Sequence, residues 1–215
     1  MPTPRTSRST QTRRDILARA MDIASVEGLE GLSIGRLASA ISMSKSGLFA
    51  HFGSKEELQL AVVDAAAGLF TEEVLSGPPR EDEALERLWA LSREWLAYIE
   101  KGLFRGGCFF AAVSAEMDDK PGRVRDQVVH LTRAWTGLLE RAAAEAVAAG
   151  HLDGDGDPAQ LAFELHAFVQ EANWAFQLHG EAEAFNRARR AIRRSLEAAA
   201  TPEGLSVLRQ LEIHA

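Results

Sequence analysis

The sequence predicts an all-α protein, with an N-terminal three-helix head containing a helix-turn-helix and a larger C-terminal helical bundle, about nine helices in all. Three observations carry this. Alanine, leucine, glutamate and arginine dominate the 215 residues, and these favour helix. No stretch keeps a period-two alternation for long, and apolar residues recur at helical spacing between clear breaks. Hydrophobic residues make up 46% of the chain, enough to fill a sizeable core. No apolar run approaches the roughly 20 residues of a membrane span, so no membrane role is expected.

In the first helix, Ile16, Ala20, Ile23 and Ala24 form one stripe from about Thr12 to Glu27, and Gly28 is placed to stop it. Ser33 caps a short second helix containing Ile34, Leu37, Ala38 and Ile41. Ser42-Met43-Ser44 breaks it, and Ser44 caps the third. Ser54 and Glu57 form the capping box of a long fourth helix that reaches Gly77-Pro78-Pro79. A fifth helix is predicted from about Asp82 to Glu100, a sixth over Cys108–Met117, and a seventh from Pro121 to Gly150. Asp157 caps an eighth, with Pro158 at its first position, that runs to His179. A ninth covers Glu181–Ala200, and Leu205, Leu208 and Leu211 mark a short final one.

Charge divides the chain. Eight cations and four anions give residues 1–55 a net +4, which leaves −11 for the other 160 residues of a chain whose total is −7. A basic head on an acidic body points to an anionic partner for the first 55 residues. The start, MPTPRTSRSTQTRRD, is basic but has no apolar stretch behind it, so no secretory signal is expected. One cysteine, Cys108, suits a reducing, cytoplasmic location.

The third helix is short, carries Gly47 and buries little, which would make it a poor core element. Leu48 and Phe52 can pack inward while Lys45, Ser46, Gly47, Phe49 and His51 face outward. Two short helices on a three-residue turn, packed against a longer one, make a helix-turn-helix, whose second helix enters the DNA major groove. Lysine, serine and histidine can bond phosphates or base edges, and Gly47 would let the backbone come close to DNA. The capped start of the fourth helix, with Lys55, is a candidate phosphate anchor. A plain αα-hairpin that only packs is the alternative.

The stretch LSIGRLASAISMSKSGLFAHFGSKEEL resembles the DNA-binding head of the tetracycline-repressor (TetR-like) family of transcriptional regulators. Ser33, Leu37 and Ala38 match the family's start, Ser44 and Lys45 its turn, Leu48, His51 and Phe52 its reader helix, and Ser54, Lys55, Glu57 and Leu58 its close. Ser42 stands where the turn often has glycine, Gly47 replaces a hydroxyl residue and Phe49 a tyrosine. The resemblance covers residues 10–60, and the later helices match only in number and length. It implies a head over 1–55 and a ligand-sensing, dimerising domain over 56–215. The expected DNA-contacting residues are Arg13, Arg14, Ser33, Arg36, Ser44, Lys45, Ser46, Gly47, Phe49, His51 and Lys55, with the phosphate load shifted to Arg13/Arg14 and Lys55.

Aromatics concentrate in the bundle, and Cys108, Glu116, His130, His166, Gln170 and Asn173 lie beside apolar faces there. An apolar cavity with a few polar groups suits a small molecule; Trp95, Phe109, Phe110, Trp135, His166, Gln170 and Trp174 are the candidate lining. Leu161, Leu165, Phe168, Ala172, Phe185, Ile192 and Leu196 form the apolar stripes of helices eight and nine. They would either build a four-helix homodimer interface, as the resemblance implies, or close the protomer's own core.

Asp153 to Glu164 imitates a calcium loop but has Pro158 where the sharp turn needs glycine. No Cys-x₂-Cys or His-x₃-His pair suggests zinc, and nothing orients Cys108 toward a base. No metal, cofactor or catalytic residue is therefore expected. The expected function is a cytoplasmic, homodimeric regulator, usually a repressor in this family, that binds a palindromic double-stranded DNA operator and is released by a small-molecule effector. The alternative is a small-molecule-binding or enzymatic helical protein with a vestigial head.

Overall fold

The computed structural model describes residues 4–77 and 84–213, with side chains described for 10–77 and 84–211. The Pro78-Pro79 break and the expected helix start at Asp82 lie outside these residues. Ten α-helices and one π-helical turn are found among the described residues. They are α1 (Pro4–Gly31), α2 (Ile34–Ala40), α3 (Lys45–Phe52), α4 (Lys55–Phe70), α5 (Ala84–Glu100), α6 (Phe109–Met117), α7 (Arg123–Ala148), α8 (Pro158–His179), α9 (Glu183–Ala199) and α10 (Pro202–Ile213). The π-helical turn, Thr71–Leu75, follows α4 directly.

The short-range signals act where the sequence places them. Gly28 leaves the helical path of α1 at φ 74°, ψ 170°. The Ser33 hydroxyl accepts from Arg36 N–H and the Ser44 hydroxyl from Gly47 N–H, each satisfying a first-turn donor. Asp157 accepts from the N–H groups of Ala159 and Gln160 ahead of Pro158, and Gly180 closes α8 in the left-handed conformation. The acidic run before α8 is thus a capping loop. Ser42 adopts φ 53°, so the left-handed turn forms without glycine, in a conformation that costs a non-glycine residue about 1–2 kcal/mol.

The chain divides into two compact units. The first holds the residues up to Leu69 together with Leu103–Leu131. Ile16, Ala20, Leu37, Leu48, Leu58 and Val62 are buried there, and α6 packs on α1. Packing thus groups α4 and α6 with the head helices, whereas the boundary at residue 55 is a proposed division of roles. The second unit holds Phe70–Gly102 and the chain from Thr132 onward. Its main helix pair is α8 with α9, and α5 lies against both.

Leu161, Leu165, Ala172, Phe185, Ile192 and Leu196 are buried within the protomer, and Phe168 is half-buried. Most of the α8 and α9 stripes therefore pack within the protomer, while Phe168 and Ala172 also line a groove between the two helices. The apolar surface of α8 is a different set: Phe163, Trp174 and Leu178 are 68%, 54% and 62% exposed.

Candidate functional site

In the first unit, α3 buries Leu48 and Phe52 and turns Lys45, Ser46, Phe49 and Ala50 outward. Phe49 is 49% exposed, available to a sugar or a thymine methyl. A Cβ on Gly47 would lie 3.0 Å from the Ser44 hydroxyl that caps the helix and 3.4 Å from Met43. The glycine thus accommodates the tight cap as well as any approach to DNA. His51 is half-buried at the end of the helix, and Ser33 is exposed at the cap of α2.

The cations divide into committed and open groups. Arg13 donates to the His51 carbonyl at 2.7 Å, and its guanidinium lies 4.3 Å from the centre of the Phe52 ring. It pins α1 to the end of α3, with a cation–π contribution. Arg36 pairs with Glu27. The Lys55 ammonium donates to the Glu30 carbonyl at 3.0 Å and its carboxylate at 3.2 Å. Hydrogen bonds from Lys55 and then Gln59 hold the Glu30 carboxyl below its ordinary pKa. Among the described residues, Arg14 and Lys45 make no ion pair, and both are exposed.

A second layer fixes this face from α6, and sequence reasoning missed its target. Glu116, a candidate buried polar group, accepts from the N–H of Leu29 at 2.6 Å and of Glu30 at 2.8 Å. Those two amides follow the Gly28 break, so Glu116 sets the loop from which Glu30 reaches Lys55 and Gln59. Just before α6, Arg105 reaches Asp22, and Gly106 N–H donates to the buried Ser25 hydroxyl at 3.2 Å. The partners lie more than 80 residues apart, and no local pattern encodes such contacts.

The seven candidate effector residues fall in three places. Phe109 and Phe110 belong to the first unit, stacked edge-to-face at 5.4 Å. Trp174 lies on the outer face of α8. Trp95, Trp135, His166 and Gln170 belong to the second unit, where a ring cluster forms. Trp95 is 5.2 Å from Trp135 and 5.0 Å from His166, and Phe70 is 5.0 Å from Trp135 and 5.4 Å from Tyr98, centre to centre. These are favourable edge-to-face or tilted contacts. Burial holds His166 below its ordinary pKa, which favours the neutral imidazole. The indole N–H groups of Trp95 and Trp135 and the Gln170 carbonyl oxygen are buried without a hydrogen-bond partner among the described residues. Tyr98 and Phe70 are the cluster members absent from the sequence-derived list. No grouping of metal-ligating side chains occurs among the described residues, and no described helix is long and apolar enough to cross a membrane.

Residues 16–62 match the model of bacterial regulatory proteins of the tetR family, and residues 84–192 that of the tetracyclin repressor-like C-terminal domain. The chain belongs to the TetR family. As a TetR-family protein it is a DNA-binding transcriptional regulator, with α2 and α3 as its helix-turn-helix. Solved structures share the fold. A TetR transcriptional regulator from Chloroflexus aurantiacus is 23% identical with a TM-score of 0.82, covering 90% of this chain and 98% of its own. A TetR-family regulator from Cytophaga hutchinsonii is 21% identical with a TM-score of 0.75, covering 90% and 97%. AibR, solved in complex with isovaleryl coenzyme A and operator DNA, is 26% identical with a TM-score of 0.67, covering 83% and 95%. No curated protein matches the chain.

Proposed function

We propose that this regulator acts in the cytoplasm as a homodimeric repressor that binds a palindromic operator and is released by a small-molecule effector. The observation that carries the reading is the composition of α3, which buries only Leu48 and Phe52 and presents Lys45, Ser46 and Phe49. A neighbour of the same fold, AibR, was crystallised with both an acyl-coenzyme A and operator DNA, which supports the pairing of the two ligand types on one chain.

Ser44, Ser46 and His51 bond base edges or phosphates, Lys45 and Arg14 contact phosphates, and Arg13 positions α3. Ser33 contacts the backbone through its cap. Arg36 and Lys55 contact phosphate after leaving Glu27 and Glu30. The effector occupies the second unit among Trp95, Trp135, His166 and Gln170. It can release DNA only by binding the DNA-incompetent state more tightly than the competent one. The lever is α4, which starts at Lys55 and ends at Phe70, one of the clustered rings. A second copy covers Phe163, Trp174 and Leu178 on α8, and the dimer spaces two heads for two half-sites.

Salt dependence tests the phosphate contacts. Lys45→Ala, Arg14→Ala and Lys55→Ala should each weaken binding to a labelled duplex and flatten the slope of log affinity against log salt by about 0.9 per lost contact. Anisotropy titrations between roughly 50 and 200 mM salt, the range over which such effects are large, measure this. An unchanged slope in Lys55→Ala would leave that lysine the role of holding Glu30.

A further inference from the structure

The ring cluster specifies the chemistry of its occupant. Trp95 is 2% exposed and its indole N–H has no hydrogen-bond partner among the described residues; the N–H of Trp135 and the carbonyl oxygen of Gln170 are in the same condition. Trp95 and Trp135 touch, Trp95 touches His166, and Gln170 follows His166 by one turn of α8. Three buried, unpartnered polar atoms thus belong to one group of neighbouring side chains. Buried polar groups are nearly always bonded, and leaving one unbonded costs about 1–3 kcal/mol. Two N–H donors whose surroundings are aromatic faces and edges await an acceptor oxygen rather than another donor.

The group also rules ligand classes out. Phe70, Trp95, Tyr98, Trp135, His166 and Gln170 include no carboxylate and no permanent cation. A carboxylate or phosphate entering there would be buried without a counter-charge, at a cost of several kcal/mol. An ammonium would find ring faces and could donate to the Gln170 oxygen, but would leave the two indole N–H groups unpaired, whereas an acceptor oxygen satisfies two of the three open atoms. A pure hydrocarbon would do the same. We propose that the effector is a neutral, mostly apolar ring compound carrying a carbonyl or ether oxygen, held with that oxygen on the indole N–H groups of Trp95 and Trp135. This rests on the reading of the second unit as the effector-sensing part.

The test uses the full chain and three probes on one skeleton: 1-tetralone, tetralin and tetralin-1-carboxylate. Dissociation constants are measured by titration calorimetry or ligand-observed NMR for the native chain and for Trp95→Phe and Trp135→Phe, which keep a ring and remove the donor. Tetralone should bind at least about tenfold tighter than tetralin, a ratio corresponding to one good hydrogen bond, and the carboxylate weaker than both. In either Phe variant the tetralone-to-tetralin ratio should fall toward one while tetralin affinity holds. The proposal is overturned if the carboxylate binds as tightly as tetralone, if neither variant changes the ratio, or if none of the three binds. Salt-dependent duplex binding by the same preparation tests the regulator reading apart: retained duplex binding without tetralone binding sinks the ligand class alone, and absent duplex binding sinks the regulator reading whatever the probes do.

Discussion

Gly106→Ala should destabilise the protein by about 3 kcal/mol or more, lowering Tm by roughly 6–12 °C for a chain of this size. An added Cβ would fall on the carbonyl group of Ser25 and within 3.1 Å of the Val26 nitrogen. All of these are backbone atoms of α1, so no side chain can rotate out of the way. Ser25 is buried, and its hydroxyl accepts from the Gly106 N–H, so relief by moving the loop would also break that hydrogen bond. Loss of this contact would loosen α6 on α1 and with it the Glu116 bonds to Leu29 and Glu30. Gly68→Ala is the control: it lies in α4 with open space where the Cβ would go, and should stabilise by up to about 1 kcal/mol. Thermal unfolding followed by circular dichroism separates the two signs.

Leu178→Glu should convert a dimer into a monomer at micromolar concentration and weaken operator binding at least about 100-fold, because two linked heads bind with an avidity that one head lacks. Phe163, Leu178 and Trp174 are exposed, and at 3.6 residues per turn they fall within about 60° of one another around α8. Beside them a groove of about 390 Å³ runs between α8 and α9, lined with Ala172, Ala175, Ala184, Ala188 and Ala191 as well as Trp174. Small residues let a second helix pair approach closely, and a two-fold axis would place each copy's large side chains against the other's groove. Glu171, Glu181 and Arg187 also line the groove, and a further acid on this face would add to the repulsion between carboxylates and be desolvated on association. Leu165→Ala is the contrast: Leu165 is 1% exposed within the protomer, so its truncation should cost about 2–5 kcal/mol of folding stability and leave the dimer. Sedimentation velocity distinguishes these outcomes, and a monomeric native chain would remove the basis for the palindrome.

These two residues also mark what the sequence could and could not say. Caps and breaks were legible because their chemistry is local: Ser33, Ser44, Asp157-Pro158 and Gly180 act on atoms within a turn of themselves. The reader helix was legible for the same reason, since the spacing of Leu48 and Phe52 fixes which side faces outward. An apolar stripe, by contrast, does not say whose face covers it. Leu161, Leu165 and Ile192 pack inside the protomer, while Phe163 and Leu178, which no pattern singled out, and Trp174, expected at a cavity, are exposed. Long-range partners were invisible. Lys55 finds Glu30 across 25 residues, and Gly106 finds Ser25 across 81. Charge counting correctly found a basic head, but three-dimensional pairing decides that Lys45 and Arg14 stand open while Arg13, Arg36 and Lys55 are engaged. The aromatic residues showed a third pattern: composition located them, and only packing sorted Trp95, Trp135 and His166 from Phe109, Phe110 and Trp174.

Two α3 helices held by one dimer would read two half-sites. Selection of bound duplexes from a random pool by the full-length chain, followed by sequencing, tests it most directly. The expected result is an enriched inverted repeat whose half-site centres lie about 34–36 Å apart, or a multiple of that spacing, with the same repeat recovered at weaker affinity in Lys45→Ala. No enriched sequence, or a single asymmetric site, would contradict it.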